Sequence, residues 1–242
     1  MDKNALAIAT ISWARDAQEE QLLRASLPCL AALNIPVFIT DGGSHPGFLD
    51  FLQSFPHFTV LKPDAKGVWA QARKSVQAGQ AAGYRFIFYT EPDKRDFFRQ
   101  YLPGFLAEVT ADDRTGIILA SRSDLGYATF PVFQRSTETT INQCCAEIIG
   151  QPVDYTYGPF LLNSLLVPYL DLLPEDIGWG WRPFMFGLAH RLQYQVAHVT
   201  ADFACPEDQR EDSPAERIYR MRQLSQNIQG LVLSTAVTLE QV

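Results

Sequence analysis

The stretch that decides the fold spans residues 85–94 and reads RFIFYTEPDK. The five residues after Arg85 are aromatic or β-branched, which is typical of a buried strand. Pro92 ends this strand because proline has no backbone N–H to donate to a sheet. The run therefore places two carboxylates, Glu91 and Asp93, at the carboxyl end of a central strand.

This position has a functional meaning in open α/β sheets, where ligands bind at the carboxyl ends of the strands. Carboxylates there suit a hard divalent cation that bridges protein and phosphate oxygens. The alternative is that Glu91 and Asp93 are solvated turn residues before a helix, with Asp93 as its N-cap. The sequence that precedes the acids favours the first interpretation.

Three strand patterns and three helical patterns alternate before the acids. The predicted strands are 6–11, 35–40 and 58–61, and the predicted helices are 16–33, 47–55 and the segment between Gly67 and Gly83. The second strand leads into DGGS at residues 41–44. Strands that alternate with helices indicate an α/β fold with a mostly parallel, twisted sheet flanked by helices.

The composition is that of an ordinary globular protein and excludes several partners. The 242 residues are 47% hydrophobic and 19% charged, which suits one large α/β domain. A formal net charge of −7 argues against a nucleic-acid partner, which needs a basic face. A nucleotide sugar is not excluded, because a cation and a few basic groups can neutralise one diphosphate.

Other common motifs are missing from the sequence. It contains no P-loop, and no Gly-x-Gly-x-x-Gly follows the first strand. The start of the chain has neither a signal-peptide pattern nor an apolar stretch long enough to span a membrane. The four cysteines show neither metal-ligand spacing nor a disulfide framework, so we predict a cytoplasmic protein.

The order of these motifs resembles the GT-A fold glycosyltransferases, close to the family-two-like group. The motifs that carry the resemblance are DGGS at 41–44, KG at 66–67 with AQAR at 70–73, and GYRFIFYTEPD at 83–93. The resemblance covers roughly Leu6 to Leu106 well and the rest loosely. It implies a transferase that uses a nucleotide-sugar donor, a small or glycan acceptor, and a divalent cation, Mn or Mg.

The resemblance also implies roles for individual residues. Glu91 and Asp93 form a Glu-x-Asp variant of the family's Asp-x-Asp metal motif. Asp41 matches an aspartate that contacts the nucleobase. Arg73 matches a basic residue that lies near the nucleotide. With Ser12 and Lys66 added, the predicted nucleotide-binding residues are Ser12, Asp41, Lys66 and Arg73.

The second half of the chain is expected to recognise the acceptor. Its patterns predict a strand at 116–120, a loop at 121–124, a helix within 138–149, and a further helix at 161–170. Residues 174–183 read PEDIGWGWRP and open a helix that runs to about Leu192. Aromatic faces stack on sugar rings, while acids and arginine bind hydroxyls and anionic groups. The predicted acceptor-binding residues are Asp154, Tyr157, Trp179, Trp181 and Arg182.

Two tryptophans at the start of a helix also have a simpler interpretation, in which both are buried beside a helix cap. The region loosely resembles the mannosylglycerate synthases, but Arg182 stands where an acid is expected. An inverting enzyme needs a general base, for which Asp176 is the first candidate and Glu175 the second. A retaining enzyme needs none, and the sequence does not choose between them.

The predicted organisation is one GT-A like domain over 1–242. About 1–110 form the nucleotide-binding half, about 111–210 the acceptor half, and 211–242 a C-terminal helix. Ser213 is the expected N-cap of that helix, whose amphipathic pattern suits packing on the domain or on a second subunit.

Two alternatives to a glycosyltransferase stay open. A nucleotidyltransferase uses a related sheet and metal, but it usually has a Gly-rich loop after the first strand, and residues 12–16 lack glycine. A non-catalytic nucleotide or sugar-binding module gains support from Glu91 and from the missing histidine ligand after the last strand. His198 lies inside a strand-like run at 195–199.

Overall fold

The computed structural model describes residues 5–238 and shows an α/β protein. Its strands are β1 Leu6–Ser12, β2 Val37–Asp41, β3 Phe58–Leu61, β4 Phe86–Tyr89, β5 Thr115–Arg122, β6 Phe160–Asn163 and β7 Gln195–Ala201. Its α-helices are α1 Ala17–Ala31, α2 Pro46–Gln53, α3 Val68–Ala81, α4 Leu102–Glu108, α5 Asp124–Ala128, α6 Val132–Ile149, α7 Trp181–Arg191 and α8 Pro214–Ala236. A π-helical turn covers Phe97–Tyr101, and 3-10 segments cover Ser164–Leu172, Gly178–Gly180 and Glu207–Gln209.

The chain divides into two compact units. The first comprises the residues up to Thr110 together with Pro159–Val167, and the second comprises Ala111–Gly158 together with the residues from Pro168 onward. The single domain over 1–242 stays a prediction. The last four residues of the predicted C-terminal segment, 239–242, lie outside the described residues.

The first unit contains five strands in the order β3-β2-β1-β4-β6. The first four are parallel, and β6 runs antiparallel to β4. The strands β1, β2 and β4 are buried almost throughout, as expected for strands that are covered on both faces. The prediction that residues 86–89 form a central strand is therefore confirmed.

The second unit is built around the parallel pair β5 and β7. Helix α7 packs on both of these strands, and α8 packs on α6 and α7. The predicted cap of α8 is confirmed, since the Ser213 side chain accepts a hydrogen bond from the backbone N–H of Glu216. Within residues 5–238, no helix is long and apolar enough to cross a membrane.

Two predictions for the second half were wrong. The predicted helix at 161–170 is instead strand β6 followed by a 3-10 segment that begins at Ser164. A short apolar run does not show by its periodicity whether it forms a helix or a strand, and here pairing with β4 decides for the strand. The predicted loop at 121–124 is the end of β5 followed by the start of α5, which Ser123 caps.

Candidate functional site

Three strand ends meet at the carboxyl edge of the first unit. Strand β1 lies between β2 and β4, and its last residue, Ser12, is paired in register with Asp41, the last residue of β2. Glu91 follows the end of β4 after a single intervening residue. This edge is where open α/β sheets bind their ligands.

Asp41 is the centre of a hydrogen-bonded cluster at this edge. Its Oδ2 accepts hydrogen bonds from the hydroxyls of Ser12 at 2.8 Å and Ser44 at 2.7 Å. Its Oδ1 accepts from the backbone N–H groups of Gly43 at 2.9 Å and Ser44 at 2.7 Å. Because the side chain is also only 5% exposed, the carboxylate is engaged mainly in holding the ends of β1 and β2 together.

Helix α3 is tied to the same cluster through Gln71. With its amide oriented so that the nitrogen faces carbonyl groups, Gln71 donates to the carbonyl oxygens of Ser12 at 3.0 Å and Thr40 at 3.2 Å. A Cβ atom at position 42 would lie 2.9 Å from the end of this side chain, so Gly42 permits the close approach. We refer to Ser12, Asp41, Ser44 and Gln71 as the Asp41 cluster.

The turn that carries the acid pair is anchored to β1. The hydroxyl of Thr10 donates to the carbonyl of Thr90 at 2.8 Å, and the Thr90 N–H donates to the carbonyl of Ala9 at 3.1 Å. Thr90 is completely buried, whereas Glu91 and Asp93 are half-buried. The two acids therefore leave a fixed strand end and are partly accessible to solvent.

The donor set of this turn fits a particular kind of metal ion. Among residues 5–238, no group of three or more histidine, cysteine or acidic residues could hold a metal ion. Two carboxylates suit Mg²⁺ or Mn²⁺ when phosphate oxygens and water supply the other ligands. Glu91 and Asp93 therefore fit a cation that binds together with a nucleotide diphosphate.

The two predicted basic residues lie at the start of α3. Lys66 is exposed and precedes Gly67, the N-cap, whose φ of +107° favours glycine. Arg73 is half-buried in the second turn of the helix. Helix α3 packs on β1, β2 and β4, and the N-terminus of a helix attracts anions.

Two predicted acceptor residues, Asp154 and Tyr157, lie in the second unit around a buried arginine. Arg122, the last residue of β5, donates to Asp154 through Nε at 2.6 Å and through Nη2 at 3.0 Å. It also donates to Glu138 at 2.7 Å, and its Cζ lies 5.7 Å from the ring centroid of Tyr157. We refer to Arg122, Glu138 and Asp154 as the Arg122 network. The sequence did not reveal this network, because Arg122 falls in the predicted loop at 121–124, whereas in the structure it is the last residue of β5.

Charges in this network stabilise one another. Burial works against the ionised form of Asp154, but the charge and hydrogen bonds of Arg122, with a hydrogen bond from Thr156, lower its pKa to about 2. Burial likewise works against the charge of Arg122, yet Glu138 and Asp154 raise its pKa above the ordinary value. Tyr157 stacks on Phe203 at 4.8 Å between ring centroids. The observed contacts of Asp154 and Tyr157 are thus internal ones, and their role toward an acceptor stays a prediction.

The other predicted acceptor residues lie at the start of α7 and differ in their surroundings. Trp181 has no exposed surface and is a core residue, as the simpler interpretation of the two tryptophans has it. Trp179 and Arg182 are buried to a lesser degree, and the Arg182 Cζ lies 4.8 Å from the ring centroid of Trp179. The two candidate bases, Glu175 and Asp176, are exposed in the preceding turn.

The fold is similar to that of solved structures of GT-A type glycosyltransferases. Glucosyl-3-phosphoglycerate synthase from Mycobacterium tuberculosis, in complex with Mn²⁺, uridine-diphosphate and phosphoglyceric acid, matches with a TM-score of 0.64 and 14% identity over 96% of this chain and 79% of that one. The same enzyme with Mg²⁺ and uridine-diphosphate matches with a TM-score of 0.61 and 13% identity, over 96% and 80% of the two chains.

A further crystal structure, of a mycobacterial protein, matches with a TM-score of 0.65 and 16% identity over 98% of this chain and 78% of that one. No protein-family model and no curated protein matches the sequence. At such low identity the similarity shows the GT-A fold and nothing finer.

Proposed function

We propose that this protein is a glycosyltransferase that moves a sugar from a nucleotide-diphosphate donor to a small or glycan acceptor. The observation that carries the proposal is the meeting of three strand ends at one edge of the first unit. There the Asp41 cluster lies at the ends of β1 and β2, and the acid pair follows β4. Structures with the same fold contain uridine-diphosphate (UDP) with Mn²⁺ or Mg²⁺, which supports this type of donor.

The donor half of the site has two parts. The Asp41 cluster shapes the loops that would hold the base and ribose, and Ser12 and Asp41 are its members on β1 and β2. Lys66 and Arg73, together with the N-terminus of α3, supply positive potential for the phosphates. Both parts are connected through Gln71, which ties α3 to the strand ends.

Glu91 and Asp93 are the residues that would hold the cation. A bound divalent cation neutralises the charge that develops on the departing diphosphate. The protein's own contribution is the anchored turn, in which Thr10 and Thr90 fix the start of the acid pair against β1. Preorganised groups of this kind need little rearrangement during the reaction.

Acceptor recognition and activation are assigned to the second unit. Asp176, or Glu175 in its place, is proposed as the general base that accepts the proton of the acceptor hydroxyl. Arg182 is proposed to bind a carboxylate or phosphate, since a guanidinium pairs with such groups through two hydrogen bonds. The phosphoglyceric acid bound by glucosyl-3-phosphoglycerate synthase carries both groups, which supports an anionic acceptor.

A second candidate function is a non-catalytic module that binds a nucleotide or a sugar. The observation in its favour is that the described residues contain no group of three or more histidine, cysteine or acidic side chains that could hold a metal ion. This candidate predicts nucleotide binding that does not depend on a cation.

A thermal-shift measurement with nucleoside diphosphates separates the two candidates. Ligands that bind only the native state raise its apparent stability by mass action. The glycosyltransferase proposal predicts a larger shift for UDP with Mn²⁺ than for UDP with a chelator. Equal shifts under both conditions would favour the binding module. No shift with any nucleoside diphosphate would contradict the glycosyltransferase and leave only a module that binds a sugar.

We also propose that the protein acts in the cytoplasm and forms a homo-oligomer through α8. The four cysteines all lie within residues 5–238 and form no disulfide there, which is typical of a reducing compartment. On α8, Ile218 and Met221 are 52% and 50% exposed and lie one helical turn apart, so a second copy of the same helix could cover them. Light scattering should give a dimer mass that Met221→Glu reduces, and a monomer mass for the unchanged protein would contradict this assignment.

A further inference from the structure

We infer that Tyr219 and Gln226 of α8 are positioning residues that hold Trp179 in place. Trp179 in turn orients the guanidinium group of Arg182 and does not stack on a sugar ring. The inference rests on the proposed function, in which Arg182 binds an anionic group of the acceptor. It assigns α8 a role in the acceptor site in addition to the proposed contact with a second copy.

Trp179 is held by two hydrogen bonds to α8. Its backbone N–H donates to Oε1 of Gln226 at 3.2 Å, and its indole Nε1 donates to the hydroxyl of Tyr219 at 2.8 Å. Tyr219 and Gln226 are seven residues apart, which places them on one face of the helix. Because one bond holds the backbone and the other the ring, both the position and the rotation of the indole are fixed.

The indole in turn supports Arg182. The Cζ atom of Arg182 lies 4.8 Å from the ring centroid of Trp179, in the geometry of a cation–π contact. This face of the indole is therefore covered by the guanidinium and is not available to a sugar. Stacking restrains the plane of the guanidinium, which determines the direction of its hydrogen-bond donors.

Close backbone contact makes this arrangement sensitive to the position of α8. A Cβ atom at position 180 would lie 2.1 Å from the carbonyl oxygen of Gln226, and one at position 230 would lie 1.8 Å from the carbonyl oxygen of Gly180. Such distances are far below van der Waals contact, so only glycine fits at both positions. Movement of α8 would therefore displace the segment that contains Trp179.

Two substitutions remove the hydrogen bonds while keeping side chains of similar size. Tyr219→Phe removes the hydroxyl and keeps the ring, and Gln226→Met removes the acceptor while roughly keeping the side-chain length. Gln226→Glu keeps an oxygen acceptor at the same place and serves as the conservative variant. Tyr155→Phe is the matched control, because the Tyr155 hydroxyl donates to the carbonyl of Gln151 at 2.7 Å in the same unit.

The first readout is the indole N–H resonance of Trp179 in protein labelled with ¹⁵N-tryptophan, assigned by its loss in Trp179→Phe. The chain contains four tryptophans, so few resonances need to be resolved. Tyr219→Phe should shift the Trp179 resonance, and Tyr155→Phe should leave it unchanged. An unshifted resonance in Tyr219→Phe would overturn the inference at its structural step.

The second readout is calorimetric binding of phosphoglyceric acid in the presence of UDP and Mn²⁺. Losing one hydrogen bond costs about 1 kcal/mol of binding free energy. Tyr219→Phe and Gln226→Met should therefore each weaken phosphoglyceric acid binding by about 5- to 10-fold. The affinity for UDP should not change, and Gln226→Glu should bind phosphoglyceric acid more tightly than Gln226→Met. If Tyr219 and Gln226 had a purely structural role, the variants would instead have a lower melting temperature and a lower affinity for both UDP and phosphoglyceric acid.

The outcomes distinguish this inference from the proposed function. If the unchanged protein binds no nucleoside diphosphate, the proposed function fails and the inference fails with it. If UDP binds but phosphoglyceric acid does not, the anionic-acceptor assignment of Arg182 is overturned. If both ligands bind and the two α8 variants bind phosphoglyceric acid as tightly as the unchanged protein, only the positioning role of Tyr219 and Gln226 is overturned.

Discussion

The hydroxyl of Ser12 donates a 2.8 Å hydrogen bond to the carboxylate of Asp41, and these two residues are paired in register at the ends of β1 and β2. The same carboxylate accepts three further hydrogen bonds from Gly43 and Ser44. Asp41 thus organises two neighbouring loops at the proposed nucleotide site. Its effect on a ligand would come through the loop shape as well as through direct contact.

Replacing Asp41 with alanine should therefore change both stability and nucleotide binding. Losing charged hydrogen bonds at this position should weaken UDP binding by about 1.5–3 kcal/mol and also lower the free energy of unfolding. Calorimetry with UDP and urea unfolding measure the two effects. Asp50→Ala, at an exposed position in α2, is the control. An unchanged UDP affinity in a folded Asp41→Ala protein would remove Asp41 from the site.

Asp93→Ala should abolish the strengthening of UDP binding by Mn²⁺, because the cation acts on the phosphates. Binding of the nucleoside uridine should stay nearly the same. Titrations with Mn²⁺ and with a chelator measure the difference. Asp96→Ala is a matched control, since Asp96 pairs with Arg95 at 3.2 Å a short distance along the same segment. The metal assignment would be wrong if Asp96→Ala, and not Asp93→Ala, lost the Mn²⁺ dependence.

Asp176→Asn should reduce turnover by about 10²- to 10⁴-fold, which is the usual effect of losing a general base. The affinity for the donor should not change, because the substitution leaves the first unit untouched. Glu175→Gln, at the neighbouring exposed position, should have a small effect if Asp176 is the base. Steady-state rates for both variants decide between the two acids, and normal turnover in both would indicate a reaction that does not use either of them.

Arg122→Met should destabilise the protein by about 3–5 kcal/mol, because it leaves the buried carboxylates of Glu138 and Asp154 without their cation. Arg122→Lys should restore only part of this stability, since an ammonium group cannot form the two-pronged contact with Asp154. Urea unfolding of the three proteins measures the series. A stability of Arg122→Met close to that of the unchanged protein would show that the network contributes little.

The pH dependence of stability should carry the signature of Asp154. Its pKa is lowered in the folded protein from an ordinary value of 3.8 to about 2, so the folded state favours the ionised form. This difference contributes about 2 kcal/mol to the free energy of unfolding. The contribution is fully present above pH ~4 and is lost as the pH falls toward 2. Urea unfolding at several pH values should show this loss, and it should be absent in Asp154→Asn.

Gly230→Ala should destabilise the second unit although alanine is the better helix former. The added Cβ would lie 1.8 Å from the carbonyl oxygen of Gly180, so α8 would have to move away. Gly104→Ala is the matched control in α4, where a Cβ atom meets nothing within 4 Å. That substitution should stabilise the protein by about 0.5–1 kcal/mol, as expected for an exposed helix position. Thermal unfolding of both variants measures the contrast.

Local sequence was sufficient for the first half of the fold. In residues 86–89 the aromatic and β-branched side chains predict a buried strand, and the proline at position 92 fixes its end. The alternation of strands and helices then implies a parallel sheet whose strand ends share one edge. These features depend on residues that are near one another in the chain, so they can be recognised without knowing the tertiary contacts.

Features that depend on distant residues could be decided only by the tertiary structure. Strand β6 reads as part of a helix until its pairing with β4 is known. Arg122 and Asp154 form their ion pair across 32 residues. Trp179 and Trp181 are two positions apart and share a glycine-rich context. Yet the first is bound to Tyr219, 40 residues away, and the second is completely buried. Burial and long-range hydrogen bonds depend on which elements pack together, and a short stretch of sequence does not contain that information.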